Sequence, residues 1–293
     1  MSLTGAVYDR GYRPYDGARG ARGAATLALY KASMRRALGL RRSWRQKIAP
    51  FVLLGVVTIP AIVNVGIGYV TRDQLIDRIE LITYRDYVGV SSALLLFVAL
   101  VAPDVICPDR RQHVLPLMFA RPLSGPDYVL AKVGAVATIL FLFSFLPQVV
   151  LFLGNMLVSD GAFTYVREHL DIVWKVPVAV AILAVFYAVI GVALASLTDR
   201  RIVAGAAIIG LFLVTSIASG ILTENASGGS YGALLNVLAL PLYLRDVVFL
   251  GHVDPVEPLG GVAHGGLLAA AVYVAIVAAG AGVLLWRYRW VER

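Results

Sequence analysis

The side chains that could perform chemistry are few and lie far apart in the sequence. Four histidines, His113, His169, His252 and His264, fall in polar stretches between apolar runs, with no metal-ligand spacing among them. The single Cys107 allows no internal disulfide, and the chain has no cysteine–histidine cluster that would make a metal site. His-Glu-x-x-His does not occur, so the helical zinc-hydrolase pattern is missing. Gly-Lys does not occur either; the chain holds no Walker A loop to cradle nucleotide phosphates and is not itself a P-loop ATPase. Ion-coupled transport places ionisable groups deep in hydrocarbon, where they are costly and therefore functional. Asp104 is the one acid within an apolar run, and it sits near one end, close to Arg110 and Arg111. Asn64, Gln148 and Asn155 are polar but uncharged, which suits hydrogen bonds between helices.

These residues must be positioned by elements that are overwhelmingly apolar. Hydrophobic residues make up 59% of the 293 and charged ones 15%, with a mean hydropathy of +0.79. A soluble domain of this size needs far more polar surface. Several uncharged runs exceed the ~18 residues that cross a bilayer's hydrocarbon as a helix. The runs predict membrane-spanning helices over 48–70, 88–107, 129–157, 176–197, 202–222 and 265–286. The third is longer than a bilayer requires, which predicts a tilt or a break near Pro147.

The net charge is +8, from 26 basic and 18 acidic residues. A basic balance can signal nucleic acid, but here its distribution has another cause. About twenty of the 26 basic residues fall in the N-terminal region, the second and fourth connections and the C-terminal tail. Basic residues resist translocation, so that side is cytoplasmic and both termini lie inside. The expected architecture is an all-α integral membrane protein of six transmembrane helices, with a cytoplasmic N-terminus over 1–47 and a short tail over 287–293. No nucleic-acid partner is expected.

Three further elements stand outside the spans. Between Ala24 and Lys47, Leu27, Tyr30, Met34, Ala37, Leu38 and Trp44 fall on one helical face amid basic residues including Arg35. That pattern predicts an interfacial amphipathic helix beside anionic membrane lipid. Between Pro108 and Lys132, the segment Val114–Phe119 predicts a short apolar helix needing a partner to cover it. Arg121-Pro122 ends it, and Ser124 is a candidate N-cap for the next helix. Before the last span, the apolar stretch Tyr231–Leu250, interrupted by Pro241, predicts a re-entrant external hairpin. Gly205, Gly210, Gly280 and Gly282 read as packing notches between helices.

The Pro108–Lys132 segment resembles the coupling segment of ABC-2 type permeases, also called type V ABC exporters. An acidic and basic cluster, here Asp109, Arg110 and Arg111, leaves the second span. A short apolar helix follows at Leu115–Phe119, and then Arg121, Pro122, Leu123, Ser124, Tyr128 and Lys132 match the entrance to the third span. Gln112 and His113 stand where the family usually has glutamate and glycine. The basic helix before the first span, Ser196–Arg201 between the fourth and fifth spans, and the broken hydrophobic loop before the sixth are similar to the family's corresponding parts.

The resemblance implies a bacterial plasma-membrane permease, paired with a second permease copy or a homologue, above two cytoplasmic ABC ATPase subunits. ATP and Mg would bind on those partners, and this chain would carry no cofactor, metal or catalytic residue. Arg110, Arg111, Leu115, Leu117, Met118, Phe119, Arg121, Pro122 and Asp127 would form the ATPase-coupling surface of a cytoplasmic coupling helix. Leu27, Tyr30, Met34, Arg35, Leu38 and Trp44 would mark the interfacial helix. A pathway at the seam between two copies, lined by the first, second and fifth spans, would include Asn64, Phe97 and Ser216. Apolar spans suit a hydrophobic or lipid-linked substrate. An ATP-independent channel or scaffold, and an intramembrane lipid-modifying enzyme, are the alternative readings.

Overall fold

A computed structural model describes residues 22–39, 44–71, 83–88, 91–119, 123–159, 161–225 and 229–289. The side chains at 22, 44–49, 71, 91–92, 117, 119 and 225 lie outside that set, as do residues 120–122. Regular structure among the described residues is helical throughout. In hydrocarbon every backbone N–H and C=O must be satisfied internally, and a helix does this within one segment.

Six helices are long: α2 (Trp44–Thr71), α4 (Ser91–Arg111), α6 (Gly125–Val158), α8 (Leu170–Ala195), α9 (Arg201–Asn225) and α11 (Gly265–Arg289). The short ones are α1 (Arg22–Ala37), α3 (Tyr84–Tyr87), α5 (Leu115–Phe119), α7 (Ala162–Glu168) and α10 (Leu240–Leu250). Each of the six expected apolar stretches falls on its own long helix. Five of these, α2, α6, α8, α9 and α11, are long and apolar enough to cross a membrane. This is the architecture of a multi-pass membrane protein. The remaining long helix, α4, carries Asp104, Asp109, Arg110 and Arg111 toward its C-terminal end.

The helices divide the work of burial unequally. In α8, 72% of the most apolar stretch is buried, against 17% in α2 and 11% in α11. Thus α8 is the axis, packed by α4, α6, α9, α10 and α11. Its tyrosine finds a polar partner inside: the Tyr187 hydroxyl donates to the Leu238 carbonyl at 2.8 Å. From α11, Tyr273 donates to the Ile182 carbonyl of α8 at 2.9 Å. The outer helices instead present Phe51, Val56, Ile62, Val214, Ile217 and Val274 on their surfaces, as lipid-facing helices do.

Several sequence expectations change. The helix α6 runs unbroken for 34 residues through Pro147, because neighbouring helices tolerate one missing intrahelical bond. The interfacial helix ends at Ala37 rather than Lys47, and Trp44 opens α2. Gly39 at φ 67° closes α1, a left-handed position that glycine takes without a Cβ penalty. The Tyr231–Leu250 stretch does bend, but not at Pro241. A 3-10 turn over Gly229–Leu235 meets α10 at 108°, and Pro241 sits in the first turn of α10, where a missing N–H costs nothing. Gly251 at φ 81° closes α10.

The glycine notches separate into two kinds. A Cβ at Gly280 would meet Val189 Cγ1 at 2.8 Å, and one at Gly205 would meet the Ala99 carbonyl oxygen at 3.0 Å. Pro103 deprives that same carbonyl of its intrahelical donor, so Gly205 lets α9 approach a free acceptor on α4. Gly210 and Gly282 have nothing within 4 Å and are not notches within one copy. Gly205→Leu is therefore expected to destabilise the fold by about 1–3 kcal/mol, the usual cost of overpacking. Gly210→Leu is expected to change it far less. Thermal unfolding of the two variants in the same detergent checks this, and equal losses would refute the distinction.

Candidate functional site

Polar side chains converge at the end of the bundle that holds α1, α5, the C-terminal ends of α4 and α11 and the start of α6. Tyr128 and Lys132 lie one turn apart on α6 and so share a face. Both reach Asp109 of α4: Lys132 Nζ is 2.5 Å from Asp109 Oδ2, and the Tyr128 hydroxyl donates to Oδ2 at 3.1 Å. Arg36, in the last turn of α1, pairs with Oδ1. Asp109 is fully buried and Lys132 nearly so. Lys132 also donates to the Val105 carbonyl at 3.0 Å, and its ammonium lies 5.3 Å from the Tyr128 ring centre. Tyr288 of α11 packs on Tyr128 with centroids 4.8 Å apart. One carboxylate thereby gathers α1, α4 and α6, and α11 joins through an aromatic pair.

A buried carboxylate near a helix C-terminus faces the unfavourable end of the helix dipole, so it persists only with cations and donors around it. Asp109, from the acidic and basic cluster that leaves α4, faces inward and is fully buried. Asp104, toward the same end of α4, pairs with Arg201 of α9 at 2.6 Å. Arg110 turns to the α8–α9 connection, donating to the Ser196 carbonyl and pairing with Asp199 at 3.0 Å. Arg111 is exposed.

The helix α5 lies between two fixed ends. Ahead of it, the Val114 N–H donates to the Asp109 carbonyl at 3.2 Å, and His113 takes φ 50°. Behind it, the Asp127 carboxylate accepts from the Ser124 N–H at 3.0 Å and the Ser124 hydroxyl at 2.8 Å. Ser124 is the N-cap as expected, and Asp127 serves the start of α6. Leu115 and Met118 are partly buried and pack against the core. The side chains of Leu117 and Phe119, and residues Arg121 and Pro122, lie outside the described residues.

On α1, Met34 and Leu38 pack against the core and Ala37 is buried. The Tyr30 hydroxyl donates to Thr138 Oγ1 of α6 at 2.9 Å. The inner part of the expected apolar stripe thus meets protein, while Leu27 at 51% exposure and the exposed Arg35 lie outward; the Trp44 side chain is outside the described set. The three candidate pathway residues sit on different helices. Asn64 on α2 is buried, Phe97 on α4 stacks on Phe143 with centroids 4.0 Å apart, and Ser216 on α9 donates to Asn236 Oδ1 at 2.9 Å.

The opposite end has its own ionic seam. Arg245 donates through Nε and Nη2 to Asp246 Oδ1 at 3.0 and 2.8 Å, and through Nη1 to the Val88 carbonyl at 3.0 Å. Both residues are buried, and together they fix α10 to the backbone beside α4. Arg85 reaches Asp254 at 2.6 Å. The Val256 N–H and Arg85 hold the Asp254 carboxyl below the usual range, so their contribution is present at neutral pH. It is lost as pH falls through the depressed value.

The sequence reading missed Arg36 and Tyr288 at the first cluster, and Arg245–Asp246 as a clamp. The faint signal for the first was the i, i+4 pair Tyr128 and Lys132 opening an apolar helix. Residues 228–232 also carry the Gly-x-Ser-x-Gly spacing. In the structure Gly229–Leu235 is a 3-10 turn following α9, without the strand-to-helix elbow that would expose a nucleophile. Compared with known proteins, the chain is matched by no family model and by no curated protein.

Proposed function

We propose that this chain is the membrane-spanning permease subunit of an ATP-binding cassette exporter, driven by separate ATPase subunits. In this reading α2, α4, α6, α8, α9 and α11 are six spans and both termini are cytoplasmic. The 3-10 turn and α10 form the re-entrant external element, α1 is the interfacial helix and α5 the coupling helix.

The observation that carries the reading is the buried Asp109 with Arg36, Tyr128 and Lys132 beside α5. A short helix gripped from below moves a bundle only if its ends are fixed to several spans. Here both ends of α5 lead into helices joined at one carboxylate, and α1 is tied to the same atom pair. A push on α5 would thus reach α1, α4 and α6 together. ATP can drive this only if the ATPase contacts differ between its open and closed states. The uncharged spans suit a hydrophobic or lipid-linked substrate, and a second copy or homologue would complete the pathway.

Leu117→Asp and Arg121→Glu are the direct test. Each variant is expected to insert at the parent level, lose stoichiometric co-purification of the ATPase subunit and abolish ATP-dependent transport. Normal transport by both variants, or transport by the purified chain with no nucleotide-hydrolysing subunit present, would overturn the reading in favour of an ATP-independent channel.

A further inference from the structure

Beside the Asp109 cluster, the outer face of α1 and the ends of α4 and α9 border a recess of about 540 Å³. On α1, Ala28, Lys31, Ala32 and Arg35 recur at three- and four-residue spacing and so share one face. Arg36 borders the same space, with Pro108 and Gln112 from the end of α4 and Arg201 from the start of α9. Met34 and Leu38 pack α1 onto the core and hold the helix in place. Ala28 and Ala32 keep the wall low beside the two long cations, which leaves room for a ligand against the helix.

Of the four cations that line the recess, two are matched by carboxylates. Arg36 pairs with Asp109, and Arg201 pairs with Asp104 at 2.6 Å. Their side chains stay 33% and 43% exposed, and a guanidinium has more N–H donors than one carboxylate uses. Lys31 and Arg35 are exposed and have no carboxylate partner among the described residues. The sequence offers none nearby, since no acid occurs between Asp16 and Asp73. Like charges gathered at one recess repel unless an anion joins them.

We propose that this recess binds the phosphate headgroup of one anionic phospholipid. Lys31, Arg35 and Arg201 surround the phosphate, and the Gln112 amide supplies a further donor. What adjoins the recess favours a lipid over a free phosphate. Arg201 opens a helix long and apolar enough to cross a membrane, so the recess lies where that helix enters the headgroup layer. Ile202 and Val203, the next two residues of α9, are 87% and 49% exposed, and Leu27 of α1 is 51% exposed. Acyl chains leaving the recess therefore meet apolar side chains, which a soluble phosphate would leave bare. A choline headgroup is disfavoured, because Lys31 and Arg35 repel its ammonium. Basic pockets between membrane helices hold anionic headgroups for the same reason. The site needs only that α9 spans the bilayer, and it stands if the transport reading fails.

Native mass spectrometry of the full chain in detergent, titrated with dioleoyl phosphatidylglycerol or dioleoyl phosphatidylcholine, tests the site. The parent is expected to bind one phosphatidylglycerol roughly 25-fold more tightly than phosphatidylcholine, about 5-fold for each unmatched cation. Lys31→Gln with Arg35→Gln should remove most of that preference, and both residues are exposed, so the fold is not at stake. Ala32→Phe keeps every charge but fills the wall between them, and should also lower the preference. Arg111→Gln with Arg289→Gln, exposed at the same end of the bundle, should leave it nearly unchanged. Glycerol 1-phosphate at matched ionic strength should not displace the lipid. Equal binding of the two lipids would leave the cations to an acidic protein surface and overturn the proposal. An equal loss in the Arg111 and Arg289 pair would show diffuse attraction to a basic end, with no built site. Displacement by glycerol 1-phosphate would make the ligand a soluble phosphate and overturn the lipid assignment.

Discussion

Asp109→Ala is expected to destabilise the folded chain by about 3–5 kcal/mol, the cost of stranding one member of a buried ion pair. Lys132 would be left nearly inaccessible to solvent, holding only the Val105 carbonyl. Arg36 would suffer less, because at 33% side-chain exposure it can turn to water. The double variant Asp109→Leu with Lys132→Met removes both charges at similar volume and is expected to recover most of the loss. Reversible unfolding in detergent, followed by tryptophan fluorescence for the parent, both single variants and the double, gives the coupling directly. A single-variant loss below about 1 kcal/mol would mean that water already reaches the cluster. If the cluster transmits force as proposed, the double variant folds but couples poorly to ATP, which separates a mechanical role from a purely structural one.

At the other end of the bundle, Asp246→Ala is expected to free α10 without unfolding the spans. Asp246 is 1% exposed and is the carboxylate that balances the buried Arg245. Its removal leaves a guanidinium holding the Val88 carbonyl alone. The penalty of about 3 kcal/mol falls on an eleven-residue helix whose other polar ties are few. One of these is Lys175 Nζ to the Phe249 carbonyl at 3.2 Å. Opening is therefore expected to be local. Amide exchange over Leu240–Leu250 should accelerate on the order of 100-fold, while exchange in α8 stays within a few-fold of the parent. Uniform acceleration across both helices would show instead that α10 is part of the global folding unit. Arg245→Met combined with Asp246→Leu should restore most of the protection.

Both experiments probe interactions that no reading of spacing could assign. Asp109 bonds to residues on two other helices, and its partners Arg36 and Lys132 lie 73 positions before it and 23 after it in the chain. Charge signs alone allowed Asp104 to pair with Arg110 as readily as with Arg201. The choice depends on how α4 is rotated against α9, two helices that approach closely where Gly205 faces the Ala99 carbonyl. Likewise Gly205 and Gly210 are equivalent in sequence. One faces a neighbouring backbone and the other open space, a difference that arises only when helices pack.

What the amino-acid sequence determined by itself is the set of long helices and their membrane character. Hydrocarbon forbids unpaired backbone groups, so an uncharged run of sufficient length has little choice of structure, wherever its neighbours lie. The N-cap at Ser124 was legible for the same reason, being a contact between residues three apart. Tertiary structure alone decided that Asp109 turns inward, that α8 is the axis, and that Arg245 and Asp246 clamp α10. Burial and pairing depend on which faces meet across the bundle, and the pattern of any single helix contains no information about its partner's rotation.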